Sequence, residues 1–383
     1  MSQIPMVDLE GQYKKIEQEV QASFTDILSS TAFINGPAVH TFSNNLSEYL
    51  GGVHVIPCAN GTDALQIALM ALGLKPGDEV ITVPFTFVAT AEVIALLGLK
   101  PVFIDVNPCT FVLNEYQLEQ AITDRTGAII PVHLFGQCAH MESIMRIADK
   151  YGVPVVEDNA QAIGADFRYA DGSTKKAGTC GTIGCTSFFP SKNLGCYGDG
   201  GALFTASDEL AARIRKIANH GSDVRYYHSE IGVNSRLDTL QAAVLDIKLK
   251  RLDAYNEARR KAADYYSVGL AGLPGVTVPK IAQYSTHVFH QYTLLIEEGR
   301  DEVLRHLQDL GISCAVYYPI PLHLQEAYRE GSSYKEGDFP VSESLSERAL
   351  SLPMHTELTA EVQDQIIRAV KDAVHAREQN KHL

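Results

Sequence analysis

The chain has 383 residues, more than one hydrophobic core can serve, and its 45% hydrophobic and 20% charged composition is that of a folded globular protein. Its 32 basic against 46 acidic residues leave a formal charge of −14, which disfavours nucleic acid or membrane partners and obliges any anionic ligand to meet a local cluster of donors. Seven cysteines (58, 109, 138, 180, 185, 196 and 314) without a C-x-x-C pair argue against a disulfide framework or a metal site; with no signal pattern and no membrane-length apolar run, a cytoplasmic location is expected.

Short β-rich runs at 53–58, 79–84, 100–106, 127–134, 154–158 and 201–205 end near polar or glycine residues and read as strands. Between them, 62–72, 89–97, 115–121, 141–151 and 207–219 carry apolar residues at helical spacing. This alternation predicts an α/β domain with a mostly parallel, mixed sheet, whose ligands gather outside the carboxyl ends of the strands. Residues 236–270 read as long helical material bridging two regions. After Leu273-Pro274-Gly275 a strand (289–296), a helix (300–310), a strand (313–317) and a final helix (359–376) predict a smaller α+β domain. The expected division is therefore 1–250 and 251–383, with 1–30 free to pack elsewhere, a flexible loop at 330–338 and a polar end at 377–383.

Four segments carry chemistry. Lys192 lies in SFFPSKNLGCYGDGG, where an apolar approach gives way to Ser, Pro and Gly; such a setting partly desolvates an amine and favours its neutral, nucleophilic form. Read alone, it is more readily a solvated surface lysine, since lysines are mostly exposed. Asp158 closes the strand PVVED, where an acid can hold a cationic ring nitrogen or merely cap a helix, and Gln161 follows three residues later. In CANGTDAL, Gly61 and Thr62 open a helix and offer backbone donors to a phosphate, with Ser187 a further donor; the same tripeptide also suits an ordinary capped junction. Phe87 in PFTFVATA reaches the same sheet edge, as a ring wall or as core. A phosphate cradle, a stacking ring, an acid and a lysine, in that order along the chain, are the parts that pyridoxal phosphate (PLP) catalysis requires.

These segments, with VDLEGQY, FINGPAV and GVNSRLDTLQAA, cover nearly the whole chain, which resembles the DegT/DnrJ/EryC1/StrS sugar aminotransferases. The resemblance implies the aspartate aminotransferase (type I) fold and pyridoxal 5'-phosphate as cofactor. It implies Lys192 as the Schiff-base lysine, Asp158 at the pyridine nitrogen, Gln161 at the phenolic oxygen, Phe87 as the stacking ring, and Gly61, Thr62 and Ser187 at the phosphate. Asn234 is implied to reach the phosphate of a neighbouring subunit in a homodimer with shared active sites. L-Glutamate is the implied amino donor, leaving as 2-oxoglutarate, and a nucleotide-linked keto sugar the acceptor. Asn159 and Asp199 depart from the family's common Ala and Glu without removing a catalytic group.

Within the family, SFFPSKNLGCYGDGG, HGSDVRYYH and NSRLDTLQAA are most similar to enzymes that aminate C3 of a UDP-2-acetamido-2-deoxy-hexuluronate for bacterial surface polysaccharide. Arg236, with Tyr317 and Tyr318, is then the expected contact for the sugar and its carboxylate, although Tyr317 stands where those enzymes carry His. Alternatives are an aminotransferase for a dTDP-linked 3-keto-6-deoxyhexose or a 4-keto sugar, and a non-catalytic regulator. His133 and His290 read as structural.

Overall fold

Three helices open the chain in the computed structural model, which describes residues 3–328 and 333–381: α1 (Leu9–Lys14), α2 (Glu17–Ser30) and α3 (Pro37–Tyr49). Asp8 caps α1 by accepting the N–H of Gly11, and Pro37 stands in the first turn of α3, where its missing N–H costs nothing.

The expected alternation follows as β1 (His54–Cys58), α4 (Gly61–Ala71), β2 (Glu79–Thr82), α5 (Ala89–Leu96), β3 (Lys100–Phe103), α6 (Glu115–Ala121), β4 (Thr126–Ile129), α7 (Met141–Tyr151) and β5 (Val156–Asp158). A hairpin, β6 (Asp166–Arg168) with β7 (Thr174–Lys176), precedes β8 (Ile183–Ser187), β9 (Gly201–Thr205) and α8 (Asp208–Ala218). Two ladders, β1-β9-β8-β5 and β3-β2-β4, are joined by parallel bridges from Ile129 to Val155 and from Val132 to Asp158. The pairs β5/β8, β2/β3 and β2/β4 are parallel, and only β9 runs against its neighbours. No helix intervenes between β8 and β9, so the chain returns antiparallel, and Lys192 lies on that return.

Consecutive strand residues face opposite sides of this layer. Ile81 and Ile129 pack with Leu118, Met141 and Ile144 beneath α6 and α7, whereas Val80, Ala128 and Val156 pack with Leu65, Val93 and Ile214 of α4, α5 and α8. Burial on both faces explains why the strands read as continuous apolar runs.

The stretch expected as one long helix is two: α9 (Thr239–Leu249) and α10 (Leu252–Leu270), separated at Lys250 and Arg251, where Arg251 departs from ideal helical angles (φ −115°, ψ −1°). Lys248 is buried and donates to the Gly195 carbonyl, fixing α9 to the lysine loop. Ile16 and Val20 pack on Val244 and Ile247, which seats α2 against α9. Along α10, Leu252 joins the cluster of Phe42 and Leu249, while Tyr266 and Leu270 join a separate cluster with Leu294, Ile366 and Val370.

That second cluster is built from β10 (Val276–Thr277), β11 (Tyr292–Ile296), α11 (Arg300–Asp309), β12 (Ala349–Leu352) and α13 (Ala360–Lys381), whereas α12 (Pro340–Arg348) packs Leu345 into the cluster of Ile81 and Ile129. The strand expected at 313–317 does not form: Ala315 makes a single bridge to Ser351, and β12 takes the place beside β11. Of the loop expected at 330–338, residues 330–332 lie outside the described residues, as do 382 and 383 of the polar end; Lys335 and Asp338 close a turn at 2.9 Å. Asp105 ties α12 to the sheet by accepting from Val341 N (2.9 Å), Ser342 N (3.0 Å) and Ser342 Oγ (2.6 Å), an acid at a helix N-terminus. Among the described residues, no helix is long and apolar enough to cross a membrane.

Candidate active site

The carboxyl ends of β5 and β8, the start of α4 and the loop before α5 enclose a cavity of about 780 Å³. Gly61, Thr62, Phe87, Asp158, Gln161, Ser187, Lys192, Tyr317 and Tyr318 all line it.

The lysine loop is tightly held. Lys192 N donates to Phe189 O at 2.8 Å, and Asn193 Nδ2 donates to Val288 O (2.8 Å) and Asn256 Oδ1 (2.7 Å), so the neighbouring backbone cannot swing the amine away. Lys192 keeps partial exposure only toward the cavity; burial lowers its ammonium from 10.5 to about 8, against the opposing pull of Asp158. At neutral pH a useful fraction of this amine is therefore a free base.

Asp158 is buried at the end of β5. Thr90 Oγ1 donates to its Oδ2 at 2.8 Å and Ala160 N to its Oδ1 at 3.2 Å; burial nonetheless raises its carboxyl above the usual range. Among the described residues no cation pairs with it directly, so the cavity offers a buried acid in need of one. Gln161 is oriented by accepting Phe135 N at 2.7 Å, which turns its amide nitrogen to Tyr318 Oη at 3.1 Å and leaves a second N–H to donate.

Asn60 caps α4 by accepting Asp63 N at 2.8 Å, and its carbonyl takes Ala64 N at 3.1 Å. Among the described residues, the N–H groups of Gly61 and Thr62 then have no internal acceptor. Ser187 Oγ accepts Phe189 N at 3.3 Å and retains its proton for donation. Position 61 must be glycine for space, because a Cβ there would lie 2.7 Å from Ser187 Cβ. Phe87 is 54% exposed and tilted 45° to Tyr318 at 6.3 Å, a ring standing free at the cavity wall.

Arg236, and Asn234, which is expected at a neighbouring subunit's phosphate, are not among the residues lining this cavity. Asn234 and Arg236 lie on an outer face, where Arg236 donates to Asn234 Oδ1 and, at 3.1 Å, to Asn219 Oδ1. Arg236 therefore does not line this cavity in its own chain. His133 is structural as read: its Nδ1 accepts Ala139 N and its Nε2–H faces Glu157, whose carboxylate also accepts Gly178, Cys180 and Gly181 N–H groups. His290 instead lines the cavity, with Nδ1 unpartnered and its imidazolium strongly disfavoured by burial and then by Lys192 and Arg259. Asp63, Thr86, Thr90, Asp199 and Gln291 are further site neighbours that sequence reasoning missed; Thr90 had a signal, since PFTFVATA places it three residues after Phe87.

The residues fit PLP: Asp158 would hold the ring nitrogen, Gln161 the phenolic oxygen, and Gly61, Thr62 and Ser187 the phosphate, with Lys192 as the amine. The model for the DegT/DnrJ/EryC1/StrS aminotransferase family matches residues 14–371. The chain is 47% identical over 355 residues to UDP-2-acetamido-2-deoxy-3-oxo-D-glucuronate aminotransferase of Pseudomonas aeruginosa, covering 93% of this chain and 96% of that one. It is 46% identical over 371 residues to a protein of Geobacillus stearothermophilus named pleiotropic regulatory protein, covering 96% and 98%. The crystal structure of S. venezuelae DesV with a ketimine intermediate superposes with a TM-score of 0.93 at 39% identity, covering 98% of this chain and 99% of that one. The chain belongs to the DegT/DnrJ/EryC1/StrS aminotransferase family and is a PLP-dependent enzyme with the type I fold.

Proposed function

We propose that this aminotransferase moves the amino group of L-glutamate to C3 of UDP-2-acetamido-2-deoxy-3-keto-glucuronate, producing a 3-amino sugar for surface polysaccharide such as lipopolysaccharide O-antigen. The observation that carries the choice of sugar is the 47% identity to the P. aeruginosa enzyme named for that substrate.

Bound in the cavity, PLP supplies an electron sink that makes the hydrogen on the amine-bearing carbon acidic. Lys192 Nζ, neutral in part because its pKa is about 8, takes that proton from glutamate and later returns one to C3 of the sugar. Asp158, fixed by Thr90 and Ala160, keeps a positive charge at the ring nitrogen favourable. Tyr318 Oη accepts from Gln161 and retains its own proton for a substrate oxygen.

The enzyme works, in this reading, as a homodimer. Both substrates are multiply anionic, yet Lys192 is the only lysine or arginine lining the cavity among the described residues, beside Asp63, Asp158 and Asp199. Asn234 and Arg236 of a second copy supply the missing donors, Arg236 gripping the uronate carboxylate. The division into a 1–250 coenzyme domain and a 251–383 domain belongs to the same proposal, supported by the separate cluster around Tyr266, Leu294 and Val370. Seven free cysteines favour the cytoplasm as its setting.

The name of the Geobacillus relative favours a second reading, a regulator without catalysis. A buried acid facing a lysine of pKa about 8 is machinery that such a role does not need.

The test is a panel of amino sugars offered to PLP-loaded enzyme with 2-oxoglutarate: UDP-linked 3-amino sugars with and without the C6 carboxylate, and a dTDP-linked 3-amino-6-deoxyhexose. We expect the uronate to lead in kcat/KM by at least about tenfold, and Arg236→Ala to erase that lead, since one charge-assisted bidentate contact is worth about that much. Equal rates, or a preference for the dTDP sugar, would overturn the choice of substrate, and no turnover of any would favour the regulator.

A further inference from the structure

Ser235 lies between the two sets of residues that a shared site needs. It is buried, its Oγ accepts the N–H of Ala59 at 3.0 Å, and it passes its own proton to Asp63 Oδ2 at 2.6 Å. Both partners belong to the phosphate cradle: Ala59 immediately precedes Asn60, and Asp63 stands in the first turn of α4 and lines the cavity.

On the other side Ser235 is flanked by Asn234 and Arg236, which face away from this cavity. Their backbone is fastened as well. Ser235 N donates to Ala218 O at 3.0 Å, Asn234 bridges Asn219, and Leu237 is buried just beyond. The arm is thus tied through its backbone to the end of α8 and through the Ser235 hydroxyl to the cradle.

Asp63 has the general advantage of an acid in the first turn of α4, but that alone does not fix where its carboxylate is held. A carboxylate beside a phosphate site repels the phosphate, and this one spends no hydrogen bond on Gly61 or Thr62. A role in holding Ser235 gives it a reason.

We propose that Asp63 and Ser235 form a clasp that positions two sites at once: the cradle of its own subunit, through Ala59 and α4, and the site of the second subunit, through the Asn234–Arg236 arm. This rests on the shared-dimer reading above. Neither residue touches the reacting atoms; both are positioning residues.

The experiment uses differently tagged hybrid dimers in which a Lys192→Ala chain silences one site, and reads the affinity of the remaining site for PLP by borohydride-fixed adduct at graded PLP concentrations. Pairing a K192A chain with an S235A chain leaves the live lysine above a cradle without its clasp. Pairing a K192A/S235A chain with a wild-type chain leaves the live lysine facing an arm without its clasp. Each hybrid should bind PLP about fivefold more weakly than the K192A/wild-type control, from the loss of about one hydrogen bond, and the S235A homodimer weaker than either. Ser235→Thr, which keeps the hydroxyl, should restore both hybrids.

If only one hybrid is weakened, or neither, the clasp does not serve two sites and the proposal fails. A K192A/N234A chain paired with wild type separates this from the reading beneath it. If losing Asn234 in one chain leaves the live site of the other untouched, the shared site itself is wrong. Should S235A fail to fold, Ser235→Cys, of similar size and a weak donor, gives the same comparison.

Discussion

Replacing Asp158 by Asn separates the two influences on Lys192. In the native protein burial lowers the amine from 10.5 to about 8 while Asp158 pulls it upward. The substitution leaves the burial and removes the pull, so the amine should titrate below 8. At pH 7 about a tenth of a pKa-8 amine is neutral, against roughly 0.03% of an ordinary lysine, a difference of about 300-fold in reactive base. The assay is the pH dependence of acetylation at Lys192 in the PLP-free enzyme, followed by peptide mass spectrometry. The wild-type midpoint should lie near 8 and that of Asp158→Asn lower, while turnover with PLP falls by about 10²–10⁴ through loss of the buried charge partner. Stability carries the same sign. A folded pKa below the unfolded value means that the folded chain binds fewer protons between pH 8 and 10.5, so stability rises with pH across that window, by at most about 3 kcal/mol relative to Lys192→Met. A wild-type midpoint near 10, or an upward shift in Asp158→Asn, would refute this account.

Gly61→Ala should weaken PLP binding by at least about tenfold with the fold intact, because its Cβ meets Ser187 Cβ at 2.7 Å and forces the cradle open; equilibrium fluorescence and circular dichroism check the two halves of that statement. Glu157→Gln should lower the urea midpoint of the PLP-free enzyme, costing about 2–3 kcal/mol, since an amide nitrogen cannot accept from the donors now converging on the carboxylate. An unchanged midpoint would mean that His133 and the 178–181 turn are held by other contacts.

The alternating architecture from β1 to β5 was legible because buried strands are short apolar runs with polar ends, and Ile81, Ile129 and Val156 sit in such runs. Strand β8 (Ile183–Ser187) was not, since Gly184, Cys185, Thr186 and Ser187 are strand residues only by virtue of their place between β5 and β9. The break between α9 and α10 carries no Gly or Pro at 250 and 251; it is set by packing, with Lys248 drawn to Gly195 O and Leu252 into the core. Residues 313–317 alternate like a strand, but β12 already holds the ladder beside β11, and the chain runs on to place Tyr317 and Tyr318 in the cavity. Lys192, Asp158, Gln161, Gly61 and Thr62 could be read because each lies at or just past a strand end. Thr90 could not be paired with Asp158, 68 positions away, until the sheet brought them to 2.8 Å. Asp63 and Ser235, 172 positions apart, carry no sequence signal of their pairing, which only the fold brings to 2.6 Å.

The central claim is that Lys192 is the amine through which PLP is held and the amino group moved. Borohydride reduction of the purified, PLP-loaded enzyme followed by peptide mapping tests it most directly. The account predicts a single phosphopyridoxyl adduct on Lys192, lost when L-glutamate is added before the borohydride. An adduct elsewhere, or one that glutamate does not prevent, would contradict it.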